Sequence, residues 1–499
     1  MSLLLQKHWN WDGTISQSFD VLQGVRQGGI CSTADYKLYL DDLLHQLDAS
    51  GLGLHIGDIY CGAPACADDV VLLSSSALSL KTMLNVACDY ASKERYEIHP
   101  VKSEVAVFNS PVDPVDWQNA EIWEINKGPA RVVSEITHLG IVRSVTSRGS
   151  ISLNVKRKMA VARRTLYSLM GAGLHGMNGL TPTVSLHVYR TYVVPRMLSG
   201  VEATLVTNKE MQEMEKFHRS TLRMFQHLPE RTGSEAIYLL VGATPLEATL
   251  DLRFLSLFGS IVRRTGSKVN SVLRRQLIMR DEQDTSWFSY IVRLLRKYRL
   301  PPPEDIIAVI PSKMSWKHRT KAAVMNHWND ILTKGASEKS SLRFLSTMVI
   351  GNPHTVWQAC DGDKRSVRRA TIKAKLLTGT YMLVTNQSLW RSGDGAATNC
   401  MMCHSAPEDR CHFLTTCESL AETRRNHLDD LQSVVSLYIP DITILMTDEL
   451  LQLILDSRHQ KLSELLPDEL SLHLDIERVT TRMCFSLHMR RAEIMGYRP

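Results

Sequence analysis

Residues 66–73, CADDVVLL, set two carboxylates, Asp68 and Asp69, inside a run that otherwise reads as the interior of a sheet. Taking an unpaired carboxylate out of water costs several kcal/mol or forces it to take up a proton, so such a pair must stay wet, find a partner or hold a metal. The residues before it, IYCGAPA, contain short β-type runs broken by Gly62-Ala63-Pro64. The stretch therefore reads as a hairpin with the acidic pair at its turn, which puts the carboxylates at an edge.

The flanks extend this pattern. After GVRQGG (residues 24–29) the spacing of Tyr36, Leu40, Leu43, Leu44 and Leu47 predicts a helix over 32–47, with Ser32 and Thr33 as caps. Leu80, Met83, Leu84, Ala87 and Ala91 predict a second helix, and two short strands are expected around Tyr96–His99 and Glu104–Phe108. The order α, ββ, α, β fits a split β-α-β-β-α-β sheet of ferredoxin type without its first strand. From Val155 to about Lys297 the apolar period is helical, interrupted at Gly171–Gly179, Gly200, Pro229 and Gly242–Pro245. Pro301-Pro302-Pro303 then reads as a boundary, followed by an irregular polar stretch and a third region from about Leu342.

With 499 residues and 44% hydrophobic content the chain can bury several cores. Its formal net charge is only +6, but cations gather at Lys156-Arg157-Lys158 with Arg163-Arg164, and at Lys364-Arg365 with Arg368-Arg369 and Lys373. Clusters of this kind suit a polyanion. The start, MSLLLQKHW, has neither a basic leader nor a full apolar core, and no apolar run is long enough to span a bilayer, so an intracellular chain, nuclear or cytoplasmic, is expected. In that compartment ten cysteines point to thiols or metal, not a disulfide framework. Cys400, Cys403, His412 and Cys417 spell C-x2-C-x8-H-x4-C, a set for tetrahedral zinc, with His404 and Cys411 adjoining as rival ligands. Asp41-Asp42, by contrast, falls on the solvated side of a helix and is read as structural.

GVRQGGICSTADYKLYLDDLL, CADDVVLL, RYEIHPVKSEVAVFN and ITHLGI, in that order and at these distances, resemble the reverse transcriptases of non-LTR retrotransposons. GLHGMNGL, YVVPRMLSGVE and VGATPLEATLDLR resemble the thumb and connection of that family, and CMMCHSAPEDRCHFLTTC its zinc knuckle. The resemblance implies an α+β architecture. An incomplete ferredoxin-like palm (1–145) precedes a helical thumb and connection (146–300) and a linker-like stretch (301–345). A helical C-terminal region (346–499) then carries the knuckle at 400–417.

It also implies roles. Asp68 and Asp69 would be catalytic carboxylates on Mg²⁺, and Arg26, Gln27, Gly28 and Lys102 would hold template and nucleotide. Leu139-Gly140 would form the primer-grip turn, and Cys400, Cys403, His412 and Cys417 would bind Zn²⁺. Two-metal phosphoryl transfer makes the same demand on the acidic pair, because carboxylates must bridge the ions. The implied partners are an RNA template, a DNA primer or target and the element's own RNA, without a membrane.

In this family a further Asp, on the first palm strand, shares the metals. The acids before GVRQGG are Asp12 and Asp20, neither in an apolar strand of the required kind. The expectation is thus a partial RNA-directed DNA polymerase that is inactive by itself. The alternative is an inactive nucleic-acid-binding remnant that keeps the knuckle and the basic helices.

Overall fold

A computed structural model describes residues 5–8, 10–21, 30–110, 116–118, 123–126, 128–175, 180–280, 285–346, 349–390 and 398–497. The chain divides into two compact units, residues 1–150 with 264–279, and residues 151–263 with 280–499.

In the first unit α1 (Ser32–Ala49) and α2 (Ala77–Lys93) bury the faces that their spacing predicts. Leu40, Leu43 and Leu47 of α1 meet Met83, Ala87 and Tyr90 of α2 in one apolar cluster, while Asp41 and Asp42 stay exposed. The cap of α1 differs from expectation. Cys31 occupies the N-cap position and its side chain makes no capping bond, whereas Ser76 caps α2 by accepting from the Ser79 N–H.

Two hairpins lie between these helices. His55–Ile56 pairs with Ile59–Tyr60, and β1 (Ala65–Cys66) pairs with β2 (Asp69–Val70). Leu73 stitches them together, donating to Gly62 O at 2.7 Å and accepting from Leu54 N–H at 2.8 Å. Residues 96–99 form no strand, and only Glu104–Val105 of the next expected strand is extended, paired in parallel with Arg131–Val132. The local reason is turn geometry. Arg95 takes a left-handed φ of 59° straight after α2, and Lys102 and Ser103 N–H groups fold back onto His99 O. Every strand pairing among the described residues is two-stranded, so the ferredoxin-like order expected from the sequence is not assembled there.

The second unit is helical. The segment 301–345 corrects the linker-like reading, because it contains α4 (Lys313–Ser337), a helix of 25 residues capped by Ser312. Its buried stripe is sparse (Trp316, Thr320, Val324, Leu332, Ala336) among many charges, which is why the stretch reads as irregular. Trp316 donates its indole N–H to Leu255 O at 2.8 Å and lies against Gly259. A Cβ on Gly259 would sit 2.3 Å from Trp316, so only glycine admits this approach. The helix that packs against α4, Leu246–Arg263, holds the buried Asp251 carboxylate, which accepts from Lys297 at 2.9 Å and from Tyr298 at 2.6 Å.

Towards the C-terminus α5 (Lys364–Leu377) packs on α7 (Leu470–Ile494), and α6 (Ala421–Val435) covers another side of α7. Lys373, counted above with the basic cluster, is instead buried. Its ammonium pairs with Glu477 at 2.6 Å and donates to Thr480 at 2.6 Å, so it fastens α5 to α7 and faces no solvent.

Candidate metal centre and acidic hairpin

The knuckle is built from a short turn followed by one wide helical turn. Asn399 bridges Pro407, Cys400 N–H donates to Ala406 O at 2.7 Å, and His404 closes the turn with a left-handed φ of 57°. Asp409 accepts from His412 N–H at 2.7 Å, and the turn His412–Thr416 is wound wider than an α-helix, bringing Cys417 N–H to His412 O at 2.8 Å. These constraints gather the four expected ligands. The donor atoms of Cys400, Cys403, His412 and Cys417 all lie within 4.8 Å of one another, with Cys400 and Cys417 sulfurs 3.9 Å apart and Cys403 Sγ 3.2 Å from His412 Nε2.

The spacing fits the metal. Two thiolates at the usual ~2.3 Å from a tetrahedral zinc stand about 3.8 Å from each other. His404 and Cys411, the rival ligands, stay outside the cluster, and Cys411 instead contacts Thr415 at 3.5 Å. Burial opposes ionisation of Cys403, but hydrogen bonds from Ser405, Cys400 and His412 outweigh it and bring the thiol down to about 6. Burial and then the neighbouring Cys400 push Cys417 up to about 12.

Around the cluster the polar supports are buried. Arg424 donates to Leu414 O and Cys417 O, both at 2.9 Å. Glu408, wholly buried, binds Arg491 of α7 through both oxygens, at 2.6 and 2.9 Å, and accepts from Val384 N–H at 2.9 Å. Nothing local in the sequence announces the Glu408–Arg491 pair, since its members stand 83 residues apart.

In the first unit the acidic pair lies at the predicted turn, Asp68 in its loop and Asp69 opening β2. Cys66 is opposite Asp69, which leaves Ala67 and Asp68 as the loop, with Ala67 in the left-handed region at φ 54°. Tight hairpins favour such a conformation, though an alanine Cβ resists it. Asp68 and Asp69 are both exposed, and Asp68 lies close enough to α1 to act on Tyr36, whose hydroxyl is pushed up by burial and then by the Asp68 charge. No group of three or more potential metal ligands includes either Asp among the described residues. Asp12 lies in a turn, and Asp20 lies in a strand, Phe19–Val21, paired antiparallel with Leu5–Lys7.

Leu139 and Gly140 form the tip of another hairpin, β3 (Glu135–His138) with β4 (Ile141–Ser144). Both have positive φ, 50° and 72°, the pairing that a two-residue turn of the hairpin type demands. Leu139 is more than half exposed. Lys102 is exposed in the loop before Glu104, and Arg26, Gln27 and Gly28 lie outside the described residues. Along α3 (Ser147–Gly171) Lys156, Arg157, Arg163 and Arg164 point to solvent, with Arg163 5.9 Å from the Phe217 ring. No described helix is long and apolar enough to cross a membrane.

Among curated proteins the chain is similar to the retrovirus-related Pol polyprotein from type-1 retrotransposable element R2 of Popillia japonica. That match is 24% identical over 238 residues, 45% of this chain and 36% of the relative. A second such polyprotein of the same organism is 24% identical over 247 residues, 48% of this chain and 33% of the relative. The Pol polyprotein from type-2 element R2DM of Drosophila melanogaster is 24% identical over 224 residues, 44% of this chain and 20% of the relative. The matches thus span about a third or less of these relatives' lengths. No protein-family model matches the chain. The likeness to non-LTR retrotransposons that the motifs carry is thus matched by curated R2 Pol polyproteins over a little under half of the chain.

Proposed function

We propose that the chain serves RNA-templated DNA synthesis by a non-LTR retrotransposon, as a nucleic-acid-binding contributor to the polymerase. The observation that carries this reading is the acidic hairpin. Asp68 and Asp69 stand exposed at a two-residue turn, in a chain whose relatives are retrotransposon Pol polyproteins. In the working enzyme these carboxylates would hold Mg²⁺, which supplies activation of the attacking hydroxyl and of the leaving pyrophosphate. Lys102 and the segment around Arg26, Gln27 and Gly28 would position template and nucleotide, and the exposed Leu139-Gly140 tip would rest on the primer. The exposed cations of α3 would neutralise backbone phosphates. Zinc at Cys400, Cys403, His412 and Cys417 would be structural, because all four positions are taken by protein ligands.

A second reading has its own observation. Among the described residues no further acid joins Asp68 and Asp69, so a two-metal site is not completed there. On that ground the chain by itself binds nucleic acid and does no chemistry. Primer extension on an RNA template with Mg²⁺ tests both readings. No extension by the wild-type chain is expected. Extension that Asp68→Asn abolishes would show a complete site and refute the second reading, and extension that survives Asp68→Asn would refute the role given to the hairpin.

A further inference from the structure

The seam between α5 and α7 carries cations that neither the metal centre nor the acidic hairpin uses. Two cavities open along it. The larger, about 540 Å³, is lined by Arg231, Lys375, Tyr381, His488, Arg491 and Tyr497 among others, and the smaller, about 260 Å³, by Arg369, Arg478, Arg482, Ser366 and Asp361. Between them Phe485 of α7 lies under two guanidinium groups, with Arg368 at 5.7 Å and Arg369 at 6.0 Å from its centroid.

Some of these charges are already answered. Glu408 neutralises Arg491, Asp475 pairs with Arg478 at 2.7 Å, and Asp363 is engaged in capping α5. Others face like charge. Arg369 has its Nε buried without a hydrogen-bond partner, and burial, Arg365 and Arg482 weaken its hold on the proton more than the charge of Asp363 restores it. His427 of α6, its Nδ1 also buried without a partner, lies within range of both Arg482 and Arg369, with Asp430 as the opposing charge. In the larger cavity burial and then Arg231 lower Lys375, and Tyr381 stacks on Phe413 of the knuckle at 5.5 Å. Clustered cations that repel one another across half-buried cavities are relieved by an anion with several phosphates. The partly exposed ring of Phe485 among them suits an unpaired base, since every base offers a π-face and a duplex hides it. At ~1.5 Å rise per residue Arg369 and Lys375 are about 9 Å apart along α5. A stacked strand advances ~3.4 Å per phosphate, so the two cavities are roughly two to three nucleotides apart.

We propose that the α5–α7 seam is a track for a single nucleic-acid strand, with phosphates held by Arg369 and Arg482 at one cavity and by Lys375 and Arg231 at the other, and a base over Phe485 between them. The inference rests on the reading that the chain handles nucleic acid, and deepens it by naming the form bound and the residues that bind it. RNA and DNA strands share the chemistry and are separate arms of the test.

The experiment is fluorescence anisotropy of the full zinc-loaded chain with labelled single-stranded RNA, single-stranded DNA and duplex DNA of one sequence, across a salt series. Variants are Arg369→Gln with Arg482→Gln, Lys375→Gln, and on α3 Arg163→Gln with Arg164→Gln. Each seam variant should weaken strand binding roughly tenfold and lower the salt slope by about 0.7 per phosphate contact removed, in the RNA arm, the DNA arm or both. Strand binding by the seam variants equal to wild type overturns the track, as does duplex binding at least as tight as strand binding and equally seam-dependent. A wild-type chain that binds none of the three overturns the underlying nucleic-acid reading as well. Photocrosslinking with a thiouridine-bearing strand gives a second readout that no folding defect can mimic. Adducts on peptides bearing Phe485 are expected, and adducts confined to other peptides would refute the assignment.

Discussion

Glu408→Ala should destabilise the second unit by about 3–5 kcal/mol, the usual consequence of leaving one member of a buried ion pair without its partner. The carboxylate is wholly buried, makes two bonds to a guanidinium that is itself only 4% exposed, and accepts a third from Val384 N–H. Burial alone would weaken Arg491 as a base, and the bonds and charge of Glu408 hold its pKa above the ordinary arginine value. A guanidinium is basic enough to keep its proton when that support is removed, so Glu408→Ala leaves a buried charge behind. Glu408→Gln keeps an acceptor and should fall between. Replacing both members, Glu408→Leu with Arg491→Met, should recover much of the loss, because no charge is then left buried. The control is the exposed pair Arg490–Glu493, where Glu493→Ala should cost no more than about 0.5 kcal/mol. Denaturant unfolding of the zinc-loaded protein, followed by tryptophan fluorescence, measures all four. A Glu408→Ala cost as small as that of Glu493→Ala would refute the reasoning.

Cys403→Ser, or chelation of the wild type, should abolish stoichiometric zinc binding and open the now buried Cys400 and Cys417 to a thiol reagent; unchanged thiol reactivity after chelation would mean no metal was held there. Ala67→Gly should stabilise the acidic hairpin by about 1 kcal/mol by removing the Cβ from a left-handed position, and a loss of stability would contradict the turn described. Burial, with Arg368, Arg491 and Lys375 nearby, pushes His488 down to about 4. Since the unfolded histidine titrates near ~6.5, the unfolded chain binds the extra proton, and stability should fall as pH drops from ~6.5 towards 4. In His488→Gln that part of the pH slope should vanish in equilibrium unfolding.

What was legible in the sequence was whatever a local pattern encodes. Apolar runs on either side of Ala67-Asp68 define the hairpin, the spacing of α1 and α2 defines their buried faces, and C-x2-C-x8-H-x4-C finds all four clustered ligands. Polar segments were harder to read. The helix α4 hides because its buried stripe is sparse, includes Thr320 and is set among polar and charged residues, and Lys373 passes for a solvated cation because Glu477 lies on a distant helix. The same holds for Glu408 with Arg491 and for the two seam cavities. They come from tertiary contacts between residues about a hundred positions apart, and no periodicity carries that information.

The account stands most directly on whether the zinc-loaded chain captures single-stranded RNA through its phosphates. Equilibrium binding across about 50 to 200 mM salt should give a straight log–log line whose slope of roughly −0.7 per contact corresponds to several phosphates. Absence of binding at the lowest salt, or an affinity that does not change along the series, would contradict it.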